Sequence, residues 1–346
     1  MGFIARAIDA AERAPLPDAV TRAGIEFLVS RTRRKLIETP EADELRCVEA
    51  MAAMPVAVHA EAANAQHYEV PTSLFQHTLG PRMKYSCCLY THDDATLAEA
   101  EEAALAQSCA HAGLVDGMEI LELGCGWGSL TLWMAEKYPR ARILAISNSR
   151  TQRAHILEQA RLRGLSNVEV ETLDMNDFAA ERRFDGRFDR IVSVEMFEHM
   201  SNWRALLTRA RACLKPDGRM FLHVFTHRSR SYRFDTSDKA DWIAQHFFTG
   251  GVMPAQDLAG RFPDLFEVEN EWRWSGAHYQ RTALDWLANF DAHPREVEEI
   301  LRATYGADWA LWRRRWRLFY LATAGLFGHA GGDVWGVGHY LLKPAT

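Results

Sequence analysis

Between residues 118 and 225 short apolar runs alternate with stretches of helical spacing. "MEILELG" (118–124) is the first run and ends in glycine. "SLTLWMAEKYP" then shows helical spacing and stops at Pro139. "ARILAIS" (141–147) is the second run, followed by the helical "RTQRAHILEQARLRG"; "NVEVETLD" (167–174) is the third. "FDRIVSVE" (188–195) is the fourth, followed by a helical stretch to "CLKPDG", and "RMFLHVF" (219–225) is the fifth. Runs of this length between helices predict a doubly wound, parallel α/β sheet. "FEVENEWRW" (266–274) and "VGHYLLKP" (337–344) are two further candidate strands. Residues 3–66 carry helical periodicity, broken at "APLP" and before Pro40 and Pro55, with no strand signal. This predicts a helical N-terminal extension over 1–67, a connector at "YEVPTSLFQHTLG" (68–80) and a main domain over 68–346. Within that domain, 228–262 and the helical 283–330 are expected to form a lid.

Composition narrows the class. The chain has 346 residues and a formal net charge of −6, which argues against a nucleic-acid-binding body. Two basic runs, "RTRRKL" (31–36) and "RRRWR" (313–317), read as solvated helix faces, with an anionic membrane surface as the other reading. The six cysteines, at 47, 87, 88, 109, 125 and 213, include no Cys-x-x-Cys pair and fit reduced thiols. The first residues lack a secretory pattern, and "LFYLATAGLFG" (318–328) is too short to span a bilayer. The expectation is a cytoplasmic protein, with peripheral membrane association as the alternative. A homodimer is compatible with this composition.

The chemistry begins at "LELGCGWGSL" (121–130), which follows the first strand and opens the first helix. Glycines suit a tight turn that a ligand approaches closely. The dinucleotide fingerprint fails, because Ser129 stands at its last place and no carboxylate ends the second strand. The form E-x-G-x-G-x-G, from Glu122 to Gly128, resembles motif I of class I S-adenosylmethionine-dependent methyltransferases. That resemblance implies a Rossmann-like sheet and a loop holding the amino-acid half of the cofactor.

A narrower resemblance follows. "KYSCCLY" (84–90), "LELGCGWGSLTL", "ISNSRTQ" and "VEMFEHM" occur in that order, with "HFFTGGVMP" (246–254), "GAHYQRT" (276–282) and "GHYLLKP" (338–344) after them. The chain resembles the cyclopropane fatty-acid synthase superfamily of methyltransferases, above all its coclaurine N-methyltransferase-like branch. The resemblance implies that Tyr85 and Ser86 close over S-adenosylmethionine. Glu122, Gly124 and Gly126 would meet its methionine end, and Ser147, Asn148 and Gln152 its ribose and adenine. Asp174, Met175 and Asn176 would line the adenine pocket, with Val194 beside the cofactor. Synthases of this family hold a bicarbonate ion by the methyl; the matching positions here are Cys87, Glu198, His223 and Tyr279.

"SVEMFEHM" (193–200) ends the fourth strand, where parallel sheets bind ligands. If it opens a helix, Glu195, Glu198 and His199 share a face at i, i+3 and i+4. The resemblance places Glu198 closest to the methyl or its anion, with His199 the proton acceptor or a group that orients Glu198. An amine must be unprotonated to attack, so a nearby carboxylate or imidazole helps as a base. Lipid-modifying members carry glycine where Glu195 stands and F-P-G-G where this chain has "FTGG" (248–251); both differences favour an amine acceptor. Methylene or methyl transfer to an unsaturated phospholipid chain is the alternative. Trp242, Phe247, Phe248, Trp286, Phe290, Trp309 and Trp312 would wall a ring-bearing cationic substrate or simply pack as core. No spaced His/Cys set supports a metal.

Overall fold

The computed structural model describes residues 3–58, 70–234, 236–238 and 241–346, so the anticipated boundary at 67–68 lies outside the described residues. In chain order the elements are α1 (Phe3–Arg13), α2 (Asp18–Glu38), α3 (Glu41–Met51), α4 (Thr72–Thr78), α5 (Leu97–His111), β1 (Glu119–Leu123), α6 (Ser129–Lys137), β2 (Arg142–Ser147) and α7 (Arg150–Leu162). They continue through β3 (Val168–Thr172), α8 (Met175–Ala180), β4 (Phe188–Val194), α9 (Trp203–Cys213), β5 (Leu214–His227), β6 (Tyr232–Arg233), α10 (Trp242–His246) and β7 (Val252–Met253). The chain closes with β8 (Phe266–Ser275), α11 (Gly276–Ala292), α12 (Pro294–Tyr305), α13 (Trp309–Gly328) and β9 (Trp335–Pro344).

Seven strands form one sheet in the order β3-β2-β1-β4-β5-β9-β8. The first five are parallel, as the apolar runs predict. The two late strands add an antiparallel edge, with β9 between β5 and β8. β1 and β2 are buried along almost their whole length, which is why both faces read as apolar. The strand order reverses between β1 and β4, and parallel sheets bind their ligands outside the carboxyl ends at such a point.

Interlocked side chains join the N-terminal helices to the segments 228–262 and 283–330. Glu12 of α1 accepts from Trp242 Nε1 at 2.8 Å and from Arg315 of α13 at 2.7 Å, with His246 at 3.4 Å. Burial alone would raise this carboxyl, but these partners hold it at about 2. Phe247 stacks on Phe319 at 4.4 Å. The basic run 313–317 is therefore not simply a solvated face. Arg315 pairs with Glu12, and Arg317 with Asp18 and Asp291.

Candidate active site

A cleft of about 1540 Å³, its open mouth included, lies at the carboxyl ends of β1, β2 and β4. One side is the glycine loop. Gly124 (φ +79°) and Gly126 (φ +51°) are left-handed, and the loop is pinned by Gly124 and Cys125 N–H to Ile146 O. Met196 fills the space a Cβ at 124 would need, whereas a Cβ at 126 would meet nothing within 4 Å. Glu122 lies in the same wall and accepts from Thr131 Oγ1 at 2.5 Å. Burial pushes its carboxyl up to about 7.

Ser147, Asn148 and Gln152 continue this wall at the end of β2. Ser147 Oγ donates to Gln152 Oε1 at 2.7 Å. Asp174 and Met175 follow at the start of α8, and Tyr85, Ser86 and Val194 complete the lining. Asn176 differs from its expected place. Its side chain is spent on the backbone of Ala57, donating to the carbonyl and accepting from the N–H, both at 3.1 Å. It ties down the end of the N-terminal segment rather than lining the cleft.

The largest departure concerns "VEMFEHM". No α-helix starts there. β4 ends at Val194, Glu195 takes a left-handed φ of +46°, and Phe197–His199 forms one 3-10 turn. Glu195, Glu198 and His199 therefore do not share a helical face. Glu195 swings onto the cleft floor, while Glu198 is fully buried and accepts from Phe225 N–H at 2.6 Å. Burial, reinforced by the charge of Glu195, holds the Glu198 carboxyl well above the usual range. His199 lines the cleft, stacked flat on Phe248 at 5.0 Å.

Glu195 is the hub. Its Oε1 accepts from Cys87 N–H at 2.9 Å and lies 3.2 Å from His223 Nε2. Its Oε2 accepts from Tyr279 Oη at 2.6 Å. Burial raises this carboxyl, against the opposing pull of Lys84, Tyr279, the Cys87 N–H and His199. Three of the four residues matched to a bicarbonate site thus converge on a carboxylate supplied by the chain itself. Glu198, the fourth of them, bonds Phe225 N–H instead. Cys87 takes part through its backbone: its thiol is buried, faces Cys88 O and is pushed up by burial.

Aromatic side chains form the opposite wall. Of those singled out from sequence, Phe248 and Trp286 reach the cleft, while Trp242, Phe247 and Phe290 are buried in core. Trp309 and Trp312 pack against the edge of the same core, under Arg302 and against Tyr305 respectively. Phe225 and Phe319 line the cleft and were not anticipated, nor were Lys84 and Trp127. Lys84 is buried, donating at 2.6 Å to both Ser86 Oγ and Cys87 O. Its sequence signal was its place at the head of the motif "KYSCCLY", where it was given no role.

The chain matches the mycolic acid cyclopropane synthetase family over residues 57–334. It is similar to (S)-coclaurine N-methyltransferase from Thalictrum flavum subsp. glaucum, 35% identical over 295 residues, 84% of this chain and 81% of that protein. Cyclopropane-fatty-acyl-phospholipid synthase of Escherichia coli (strain K12) is 29% identical over 274 residues, 79% of this chain and 66% of the synthase. A crystal structure of coclaurine N-methyltransferase bound to N-methylheliamine and SAH superposes with a TM-score of 0.93 at 30% identity, covering 99% of this chain and 100% of that one. No described helix is long and apolar enough to cross a membrane. On a match that spans most of its length, the chain belongs to the mycolic acid cyclopropane synthetase family of S-adenosylmethionine-dependent methyltransferases.

Proposed function

We propose that the chain N-methylates a small, ring-bearing amine, with Glu195 as the group that takes the amine's proton. The observation that carries this is the Glu195 carboxylate itself, held on the cleft floor by three donors where a lipid-modifying member has glycine and binds an anion. A cationic amine needs a carboxylate to hold it and a base to deprotonate it; Glu195 is placed for both. Phe225, Phe248, Tyr279, Trp286 and Phe319 line the cleft and give it an aromatic wall suited to a ring-bearing cation.

S-adenosylmethionine supplies the methyl as a sulfonium group and leaves as S-adenosylhomocysteine. The glycine wall suits it on this chain's own features. There is free space over Gly126, and the buried Ser129 Oγ and Trp127 Nε1 have no protein partner. Gly124, Gly126 and Glu122 would hold its amino-acid end, and Ser147, Asn148 and Gln152 its ribose. Asp174, Met175 and Val194 would line its base, with Tyr85 and Ser86 as cover. His199 would orient the amine beside Glu195.

The test is incubation with labelled S-adenosylmethionine, offering ring-bearing secondary amines such as tetrahydroisoquinoline and, separately, phospholipid vesicles. Label is expected in the amines. A labelled acyl chain with no amine product overturns the reading.

Glu122 gives a further prediction. Below about pH 7 its carboxyl is protonated in the free protein. The donor carries net positive charge and favours the ionised carboxyl, so binding releases a proton in that range. Donor affinity is therefore expected to rise by about fivefold between pH 6 and 8, and Glu122→Gln to flatten the profile. Calorimetry across that range is the measurement; a flat wild-type profile rejects it.

A further inference from the structure

Behind Glu195 a column of imidazoles runs from the cleft floor to the surface. His223 on β5 and His339 on β9 stand opposite each other in the antiparallel register. His223 Nδ1 is 2.8 Å from His339 Nε2, and His339 Nδ1 is 2.8 Å from Nδ1 of His111, at the end of α5. His111 Nε2 is 2.5 Å from the amide nitrogen of Gln107, one turn earlier. His223 and His339 are wholly buried; His111 is half-buried, lying flat on Trp272 at 3.8 Å. No described group of three or more His, Cys, Asp or Glu side chains is spaced to hold a metal ion, so hydrogen bonding is what this geometry serves.

The donor pattern follows from counting. A carboxylate only accepts, and a neutral imidazole has one N–H and one lone pair. With Glu195 ionised, His223 must donate from Nε2, leaving Nδ1 to accept from His339 Nε2–H. His339 Nδ1 then accepts from His111 Nδ1–H, and His111 Nε2 accepts from the Gln107 amide. Every ring is satisfied and every ring N–H points toward Glu195. Burial, with the charges of Lys84 and His111, holds His223 well below the ordinary imidazole range; burial, with His223, His111 and Lys84, does the same for His339, so both rings are neutral.

We infer that His223, His339 and His111, closed by Gln107, form a positioning relay that fixes the orientation and charge of the Glu195 carboxylate. Hydrogen bonds in such a chain polarise one another, so a break at the outer end weakens the donor at the inner end. The relay rests on the reading of Glu195 as the base. The other titratable groups facing Glu195 are Lys84 and Cys87 before α5, Glu198 and His199 after β4, and Tyr279 on α11. None of them lies between His339 and His111.

The experiment compares pH profiles of kcat for tetrahydroisoquinoline methylation. Glu195→Gln shows first whether the acidic limb belongs to Glu195; if the limb survives in that variant, the base assignment fails and the relay falls with it. Given that limb, His339→Leu cuts the column and His111→Phe keeps the stack on Trp272 while removing the N–H. Both are expected to move the acidic limb up by about one pH unit, because the ionised carboxylate loses hydrogen-bond support. kcat then falls about tenfold below the limb and recovers at alkaline pH, with amine KM unchanged. His339→Gln, which can donate and accept in line, restores the limb. An unmoved limb in folded His111→Phe, or an equal loss at every pH, overturns the relay; His111→Phe carries the test alone should His339→Leu not fold.

Discussion

Replacing Glu195 by glutamine is expected to cut kcat by about 10²–10³ while the protein folds and binds its donor as before. Glutamine has nearly the same shape: with its carbonyl oxygen in the Oε1 place it still accepts from Cys87 N–H and His223 Nε2–H, while its amide nitrogen donates to Tyr279 Oη. It cannot take a proton or offset a cation. Donor affinity by calorimetry is the control: a kcat loss with donor affinity unchanged assigns Glu195 to the methyl-transfer step. The sign of the pH effect is set by the same group. A carboxyl raised by burial is a competent base only above its pKa, so wild-type kcat falls as pH drops through it. The variant should lack that limb. Near-wild-type turnover in a folded Glu195→Gln protein removes Glu195 from the mechanism.

The fold core was legible because its signal is local. β1 to β5 appear as apolar runs between helical stretches, and the glycine loop sits where the first run ends. The same reading failed at Glu195 for a non-local reason. "EMFEHM" has helical spacing, yet Glu195 N–H is claimed by His223 O and its carboxylate by Cys87, His223 and Tyr279. These partners come from three distant segments, and together they hold a left-handed residue that propensity disfavours. Periodicity could not tell that Cys87 acts through its N–H, nor that Phe225 and Phe319 face the cleft while Phe290 does not. The histidine column was invisible for the same reason. His111, His223 and His339 are far apart in sequence, and only the β5–β9 register brings the last two together. "GAHYQRT" was read as a motif, but the demand on its glycine came only from what packs against it.

That glycine carries the largest expected loss of stability. Gly276 opens α11, with Ser275 as its cap accepting from Ala277 N–H. A Cβ at 276 falls inside contact distance of two backbone carbonyl oxygens, Phe327 O at the end of α13 and Trp335 O at the start of β9. Neither can rotate aside as a side chain would. Trp335 is held in register against His227 of β5, and α13 packs against α2 and α11. Relief therefore requires shifting α11, and α11 carries Tyr279, whose hydroxyl donates to Glu195. Gly276→Ala is expected to destabilise the fold by about 3 kcal/mol, at the upper end for overpacking because the clashing atoms are backbone. Gly260→Ala is the matched control. The nearest atom to its new methyl would be Val268 Cγ2 at 3.6 Å, an ordinary contact, and its effect should stay within about 0.5 kcal/mol. Thermal melts of both variants beside wild type decide the matter. The methyl at 276 should lower the midpoint by several degrees and weaken methyl transfer in whatever folds, through the displaced Tyr279. Coincident melts for Gly276→Ala and wild type would mean that α11 and the ends of α13 and β9 are free to separate, and that Tyr279 is not held on Glu195 by their packing.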